Sequence, residues 1–424
     1  MLAIKFIAEN RDEVIRRLAK KHFAAEEIVD KIIALDAARR ASQSTLDANQ
    51  TELNRISKEI GTLMKEGKKA EADVAKTRVA GLKAACKECE ATKAQSESDL
   101  HDLLLLIPNL PHESVPEGRG ADDNVCEETG GSIPELPADA LPHWDLAKKY
   151  GLIDFEAGVK IAGAGFPVYR DYGARLQRAL INFFLDSARE AGYREIEPPY
   201  VVNADSGYGT GQLPDKEGQM YHAAADNLYL IPTAEVPVTN LYRDVILNES
   251  DLPVKHTAYS ACFRREAGSY GKDVRGLNRL HQFNKVEIVC IDKPEHSYLM
   301  LREMVEYVRT LVGKLELPWR ILRLCGGDMS FTSAITFDFE VYSAAQKRWL
   351  EISSVSNFES YQANRLKCRY RTAEDKKIRL CHTLNGSALA LPRIVAALLE
   401  NNQTPDGICI PKALHSYTGF EMIT

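Results

Sequence analysis

Between Cys262 and Glu287 the chain reads CFRREAGSYGKDVRGLNRLHQFNKVE, gathering guanidinium, carboxylate, ammonium and aromatic groups in one short span. The pattern predicts two strands, Phe263–Glu266 and His281–Glu287, joined by a loop containing Gly268, Gly271 and Gly276. Side chains alternate across a strand, so Arg264 and Glu266 share one face, as do Phe283, Lys285 and Glu287. Val286 and Ile288 then point the other way, into a core. The run Val-Glu-Ile-Val-Cys has the character of a buried strand, which sets Glu287 deep. A solvated hairpin face would carry the same charges, but a buried charge needs a partner. A phosphate, an amine and a purine would supply such partners. Guanidinium grips phosphate bidentately, each bond contributing roughly 1.5–3 kcal/mol, and an aromatic plane stacks on a base for about 1–3 kcal/mol.

Three further segments carry groups of the same kind. Thr233-Ala234-Glu235 follows Tyr229-Leu-Ile-Pro232; by itself Thr-x-Glu is an ordinary helix start, with Thr as N-cap and Glu in the first turn. Residues 337–342 and 349–354 alternate polar and apolar side chains as a strand pair does, and they bring forward Glu351 and Ser354. A carboxylate beside a hydroxyl suits Mg²⁺, a hard ion that takes oxygen ligands and phosphate. Asn385-Gly386-Ser387 leads through Pro392 to Arg393 and an apolar helix; Gly386 would let backbone approach a ligand. Cys86-x-x-Cys89 falls on a helical stripe with no second Cys/His pair nearby and is read as core packing.

These groups need positioning elements, and 424 residues suffice for two or three domains. A net charge of −6 excludes a blanket nucleic-acid binder, leaving RNA affinity to local basic surface. No apolar run approaches the ~18 residues of a spanning helix, the N-terminus lacks a signal-peptide core, and nine cysteines point to a reducing cytoplasm. From Ile28 through Ile32, Leu35, Arg39, Ser42, Leu46, Asn49, Leu53, Ile56 and Ile60 to Leu63 the spacing alternates four and three, a two-helix packing stripe. A second stripe runs from Ala75 to Ile107. An antiparallel helical hairpin turning near Lys65–Lys69 follows, each arm reaching roughly 50 Å. Between Arg55 and Lys93 ten Lys/Arg face six Asp/Glu, which fits either a solvated coiled coil or an RNA-backbone contact. Pro108, Pro111 and Pro116 mark a linker, beyond which the helix Tyr172–Ala191 precedes a strand ending in Pro198-Pro199.

Phe263-Arg264-x-Glu266, Arg279 and His281-Gln-Phe-x-Lys-Val-Glu287 resemble motif 2 of class II aminoacyl-tRNA synthetases, in the bacterial seryl-tRNA synthetase version. Gly192–Pro199 is similar to motif 1, Asn385–Arg393 to motif 3, and Thr233–Glu235 to the TxE loop. The resemblance implies an α+β fold: an N-terminal antiparallel two-helix coiled-coil arm (1–107), a linker (108–124), and a catalytic domain (125–424) with a central antiparallel sheet flanked by helices. It implies ATP-dependent activation of L-serine to seryl-adenylate and transfer to tRNA(Ser), with tRNA(Sec) as a further acceptor, in a cytoplasmic homodimer using Mg²⁺. The nucleotide would lie among Arg264, Arg265, Glu266, Arg279, Phe283, Glu351, Ile352, Ser353, Ser354 and Arg393, although strand alternation turns Arg265 toward tRNA or solvent. Arg264, Glu266 and Arg393 carry catalysis in this reading, and Glu351 and Ser354 hold the metal. Thr233, Ala234, Glu235, Arg264, Glu287, Asn385 and Ser387 would surround serine. Val355 and Asn364 depart from the family's usual residues without removing an assigned role. Two alternatives are an amino-acid:carrier-protein ligase, which would lack the long arm, and a non-catalytic RNA-binding paralogue, which would have lost Arg264, Glu266, Glu287 or Arg393.

Overall fold

The computed structural model describes residues 1–215, 218–267 and 275–424; Gly268 and Gly271 of the expected loop lie outside the described residues. The chain divides into two compact units, Met1–Ala19 with Phe23–Pro108, and Lys20–His22 with Asn109–Thr424.

In the first unit α1 (Ile4–Glu9) and α2 (Arg11–Ala19) precede two long helices, α3 (Glu26–Lys65) and α4 (Lys69–Leu106). The stripe explains their pairing: Ile32, Leu53 and Ile56 of α3 and Cys86, Leu100 and Leu104 of α4 are buried, while intervening residues face solvent. Gly67 makes the turn at φ +76°, a conformation that costs glycine little. Asp36 sits buried in the seam, held by Arg39 and Arg40 at 2.7 and 3.0 Å. Cys86 is buried and Cys89 half-buried. An ion pair of 2.7 Å joins Arg78 of α4 to Glu52 of α3.

The second unit is built on an eight-stranded sheet. Its strands are β1 (Val125–Gly130), β2 (Arg194–Glu195), β3 (Val254–Phe263), β4 (Gln282–Asp292), β5 (Trp319–Arg323), β6 (Ile335–Ser343), β7 (Arg348–Asn357) and β8 (His382–Ala390). Their order is β1-β5-β6-β7-β8-β4-β3-β2, antiparallel except for the short edge pair β2–β3. The helices needed below are α5 (His143–Lys149), α6 (Asp171–Glu190), α7 (Glu235–Asn240), α8 (Ser297–Lys314), α9 (Ser360–Leu366) and α10 (Leu391–Asn401). Val286 and Ile288 join Leu180, Phe184, Met304, Val308, Phe339, Ile352 and Val395 in one core, so α6, α8 and α10 cover one face of the sheet. The opposite face of β4 carries Lys285, Glu287 and Val289, and Val289 packs on Ala234 and Val238 at the start of α7.

The segment after Pro108 is stitched to this unit. Asn109 donates its backbone N–H to Phe331 O at 2.9 Å and its side-chain amide to Thr332 O and Phe358 O. Lys20 Nζ reaches Glu113 O and Val115 O, and Lys21 Nζ reaches Ser330 O and Ser333 O. Among the described residues no helix is long and apolar enough to cross a membrane.

Candidate active site

The β3–β4 hairpin extends further than its sequence suggested at one end and less far at the other. Phe263 pairs with Gln282, and Arg264 N–H to His281 O (2.9 Å) is the last rung. Arg265 N–H then leaves for Gln219 O, and Glu266 takes φ +51°. Arg264 and Glu266 are therefore placed by the turn that ends the strand, not by strand alternation. Arg264 lies over the ring of Phe283, its guanidinium carbon 5.2 Å from the centroid, and Arg265 is exposed. Arg279 returns from the other side of the loop to pair with Glu266 at 2.5 Å. From α10, Arg393 donates to Glu351 O at 2.7 Å and to Asn278 O at 3.4 Å, with the Glu351 carboxylate 3.6 Å away. Three arginines thus lean on partners, Arg264 on Phe283, Arg279 on Glu266 and Arg393 on Glu351, each still partly open to solvent.

The other end of this site is closed. Thr233 Oγ1 accepts the Glu235 N–H at 3.3 Å and donates to Glu287 Oε2 at 3.2 Å. The helix N-cap is Ala234, one residue later than Thr-x-Glu suggested, and the Thr233 hydroxyl instead links the Glu235 N–H to the Glu287 carboxylate. Glu287 is 2% exposed, and Lys285 Nζ stands 2.5 Å from the same Oε2. Burial pushes the Glu287 carboxyl above its usual range, with Lys285, Thr233 and Arg264 opposing that shift. Glu235 is pushed up to about 7, first by burial and then, against the hydrogen bonds from Gln362 and Asn385, by Glu287. Ser387 lies opposite Glu287 in the β4–β8 register, and its carbonyl accepts from Ser353 Oγ at 2.6 Å. Ala234 is packed in the apolar cluster beside them. A Cβ on Gly386 would come within 3.0 Å of Val355, so that glycine serves the packing of β8 on β7 rather than a ligand's approach.

Glu351 and Ser354 are three residues apart, a spacing that a regular strand sends to opposite faces. Here β6 and β7 slip register: Glu340 pairs with Glu351 but Phe339 with Ser353, leaving Ile352 as an extra residue. This β-bulge brings Glu351 and Ser354 to one face and sinks Ile352 into the core. Asp338 stands opposite Ser354. Burial, then Glu351, drives the Asp338 carboxyl well above its ordinary range while Ser354 bonds to it. Among the described residues its Oδ1 has no hydrogen-bond partner. Two carboxylates and a hydroxyl, one oxygen unsatisfied, form an all-oxygen donor set that fits a hard divalent cation.

Several residues of the site escaped the sequence reading. Asp338 carried a signal, since it alternates with Glu340 in Phe-Asp-Phe-Glu. Gln362 of α9 carried none: its amide donates to Glu235 Oε1 at 2.6 Å and to Thr210 O, while Thr383 Oγ1 fixes its carbonyl at 2.7 Å. Gly165 (φ +83°) takes the His281 N–H at 2.9 Å, and a Cβ there would strike the His281 ring at 2.5 Å. Buried His143 accepts the Leu277 N–H at Nε2, which leaves its Nδ1 proton for Glu400 at 2.6 Å. Burial acts to raise the Glu400 carboxyl, but His143 and Ser343 hold it below its usual range.

Comparison with known proteins places this architecture. Residues 1–111 match the seryl-tRNA synthetase N-terminal domain, and residues 220–402 match the tRNA synthetase class II core domain (G, H, P, S and T). A serine–tRNA ligase of Salinibacter ruber is 50% identical over 424 residues, covering 100% of this chain and 99% of the relative. One from Chlorobaculum parvum is 45% identical over 427 residues, covering both chains in full. The crystal structure of seryl-tRNA synthetase from Pyrococcus horikoshii complexed with ATP superposes with a TM-score of 0.95 at 33% identity, covering 100% of this chain and 99% of that one.

Proposed function

The chain belongs to the seryl-tRNA synthetase family, and from this we infer that it activates L-serine with ATP and ligates the seryl group to tRNA. The serine carboxylate attacks the α-phosphorus, forming seryl-adenylate and releasing pyrophosphate. A terminal ribose hydroxyl of tRNA then takes the acyl group and releases AMP. Neither step requires a side-chain nucleophile, because positioning and charge neutralisation carry phosphoryl transfer.

The roles follow the two ends of the site. Arg264 holds the α-phosphate, Phe283 and Arg393 sandwich adenine, Glu266 reads its amino group, and Arg279 and Arg393 meet the terminal phosphates. Glu351 and Ser354, with Asp338 beside them, would hold Mg²⁺, which when bound neutralises phosphate charge. Thr233, Glu235 and Glu287 receive the ammonium and hydroxyl of serine, with Asn385 and Ser387 at the side-chain end. A site built to bond a hydroxyl rejects an analogue lacking it by about 10⁴–10⁵, so alanine is excluded. The observation that carries this reading is the buried Thr233–Glu287–Glu235 group (Thr233 Oγ1 to Glu287 Oε2, 3.2 Å) beside Arg264. It is tested by ATP–pyrophosphate exchange with each of the twenty amino acids. Serine alone should support exchange; equal exchange with alanine would overturn the assignment.

The partner is tRNA(Ser), and the long helical hairpin is the RNA contact. Lys58, Lys65, Lys69, Lys83 and Lys87 are exposed on it. Replacing Lys65, Lys69 and Lys83 by Glu should cut serylation of tRNA at least tenfold and leave exchange unchanged; unaltered charging would remove the hairpin from this role. A homodimer is proposed across the sheet edge at Arg194–Glu195, within the Gly192–Pro199 segment that resembles motif 1. A cytoplasmic location agrees with free thiols at all nine cysteines.

A further inference from the structure

Lys285 has no role in the scheme above, yet it is the most enclosed cation of the site. Its Nζ is 2.5 Å from Glu287 Oε2, with side-chain exposures of 8% and 2%. Lys285 and Glu287 are two residues apart on β4 and share a face, so the contact is set by the pleat of the strand. Oε2 is also the oxygen that Thr233 addresses at 3.2 Å. The assigned receiver of the substrate ammonium is therefore already bonded to an ammonium.

We propose that Lys285 is a resident counter-ion, which holds the ammonium-binding oxygen of Glu287 in the empty pocket and surrenders it when the amino acid enters. This rests on the serine-binding reading of Glu287. Charge balance favours an exchange over a simple addition. The ion pair of the pocket is Glu287 with Lys285, and an amino acid arrives as a zwitterion. When its ammonium takes Glu287, its carboxylate leaves Lys285 beside a new anion, so every buried charge stays paired. No proton is transferred and no bond is made or broken.

The resident cation also favours the ionised form of Glu287 against the effect of burial. The charged and titratable groups around this carboxyl are Lys285 on its own strand, Arg264 and Cys262 on the neighbouring strand and turn, and Glu235 on α7. Lys285 is the largest influence opposing the effect of burial. Its removal leaves the effect of burial less opposed and so favours the neutral acid, which does not pair with ammonium.

The test is Lys285→Met, read by ATP–pyrophosphate exchange from pH 6.5 to 8.5. The expected result is kcat/KM for serine lowered at least tenfold at pH 7 and climbing with pH, KM for ATP within threefold of the parent, and the parent's profile restored by Lys285→Arg. A Lys285→Met profile parallel to the parent's overturns the proposal while leaving the serine reading intact. No serine-dependent exchange in the unaltered chain overturns that reading and this proposal together. A second measurement needs no variant: in crystals of the full chain soaked with serine, Lys285 Nζ should leave Glu287 Oε2 and the substrate ammonium should replace it. An undisturbed pair with serine bound elsewhere overturns the exchange.

Discussion

The two ends of the site solve opposite problems with the same groups. At the amino-acid end Glu287, Glu235 and Lys285 are almost wholly enclosed, and each charge has a fixed partner before any ligand arrives. At the nucleotide end Arg264, Arg279 and Arg393 are partly open and leaning on Phe283, Glu266 and Glu351. Enclosure makes an unpaired group expensive, so in the proposed function the closed end is the one that selects. On the proposed function the open end would grip a multiply charged ligand whose own anions replace the provisional partners. In that reading specificity and affinity are separated between the two ends, with β3, β4 and the turn between them contributing to both.

Substitutions should expose that division. The largest effect belongs to Glu287→Ala, which strands Lys285 without a counter-ion. Loss of one member of a buried pair costs about 3–5 kcal/mol, so thermal melting should fall markedly along with complete loss of serine-dependent exchange. A variant that melts like the parent would mean that water reaches Lys285 and the closed end is not closed. Arg264→Ala comes next. Exchange should drop by about 10²-fold or more, while stability stays within about 1 kcal/mol because the side chain is half open. A large fall in stability would erase the distinction between the ends.

A third effect, confined to higher pH, sharpens the comparison. The folded Glu235 carboxyl titrates at about 7 against an ordinary 4.5. The native state therefore binds a proton more tightly than the unfolded chain, and stability is lost as pH rises from 4.5 toward 7. Glu235→Gln should remove that loss, stabilising the protein by at most on the order of 3 kcal/mol at pH 8 and by nothing below pH 4.5. Denaturant titrations at the two pH values check it; equal gains at both would show that the carboxyl is not suppressed by burial.

Much of this was legible in the chain because the governing patterns are local. Periodicity over Ile28–Leu63 predicted a helical hairpin, and α3 and α4 turn at Gly67 within the expected interval. The apolar run around Glu287 predicted its burial, and Val286 and Ile288 do face the core. The reading went astray where tertiary contacts decide. Arg264 and Glu266 were laid on a strand that ends at Phe263, because the Arg265 N–H is claimed by Gln219 from a distant loop. Gly386 was read as room for a ligand, but Val355 from the adjacent strand fills that space. Gln362 sits 127 residues from the glutamate that it steadies, and no sequence window spans that distance.

The unpaired residue at Ile352 has a consequence for how such a protein can vary. A strand with one phase slip offers its ligands at odd spacing, so the carboxylate at 351 and the hydroxyl at 354 act together only while that slip lies between them. Loss or gain of a single residue anywhere in those four positions would turn one of the two groups into the hydrocarbon layer. Length there is constrained by the phase of the strand, and Ile352, being packed in the core, is constrained in size and polarity as well.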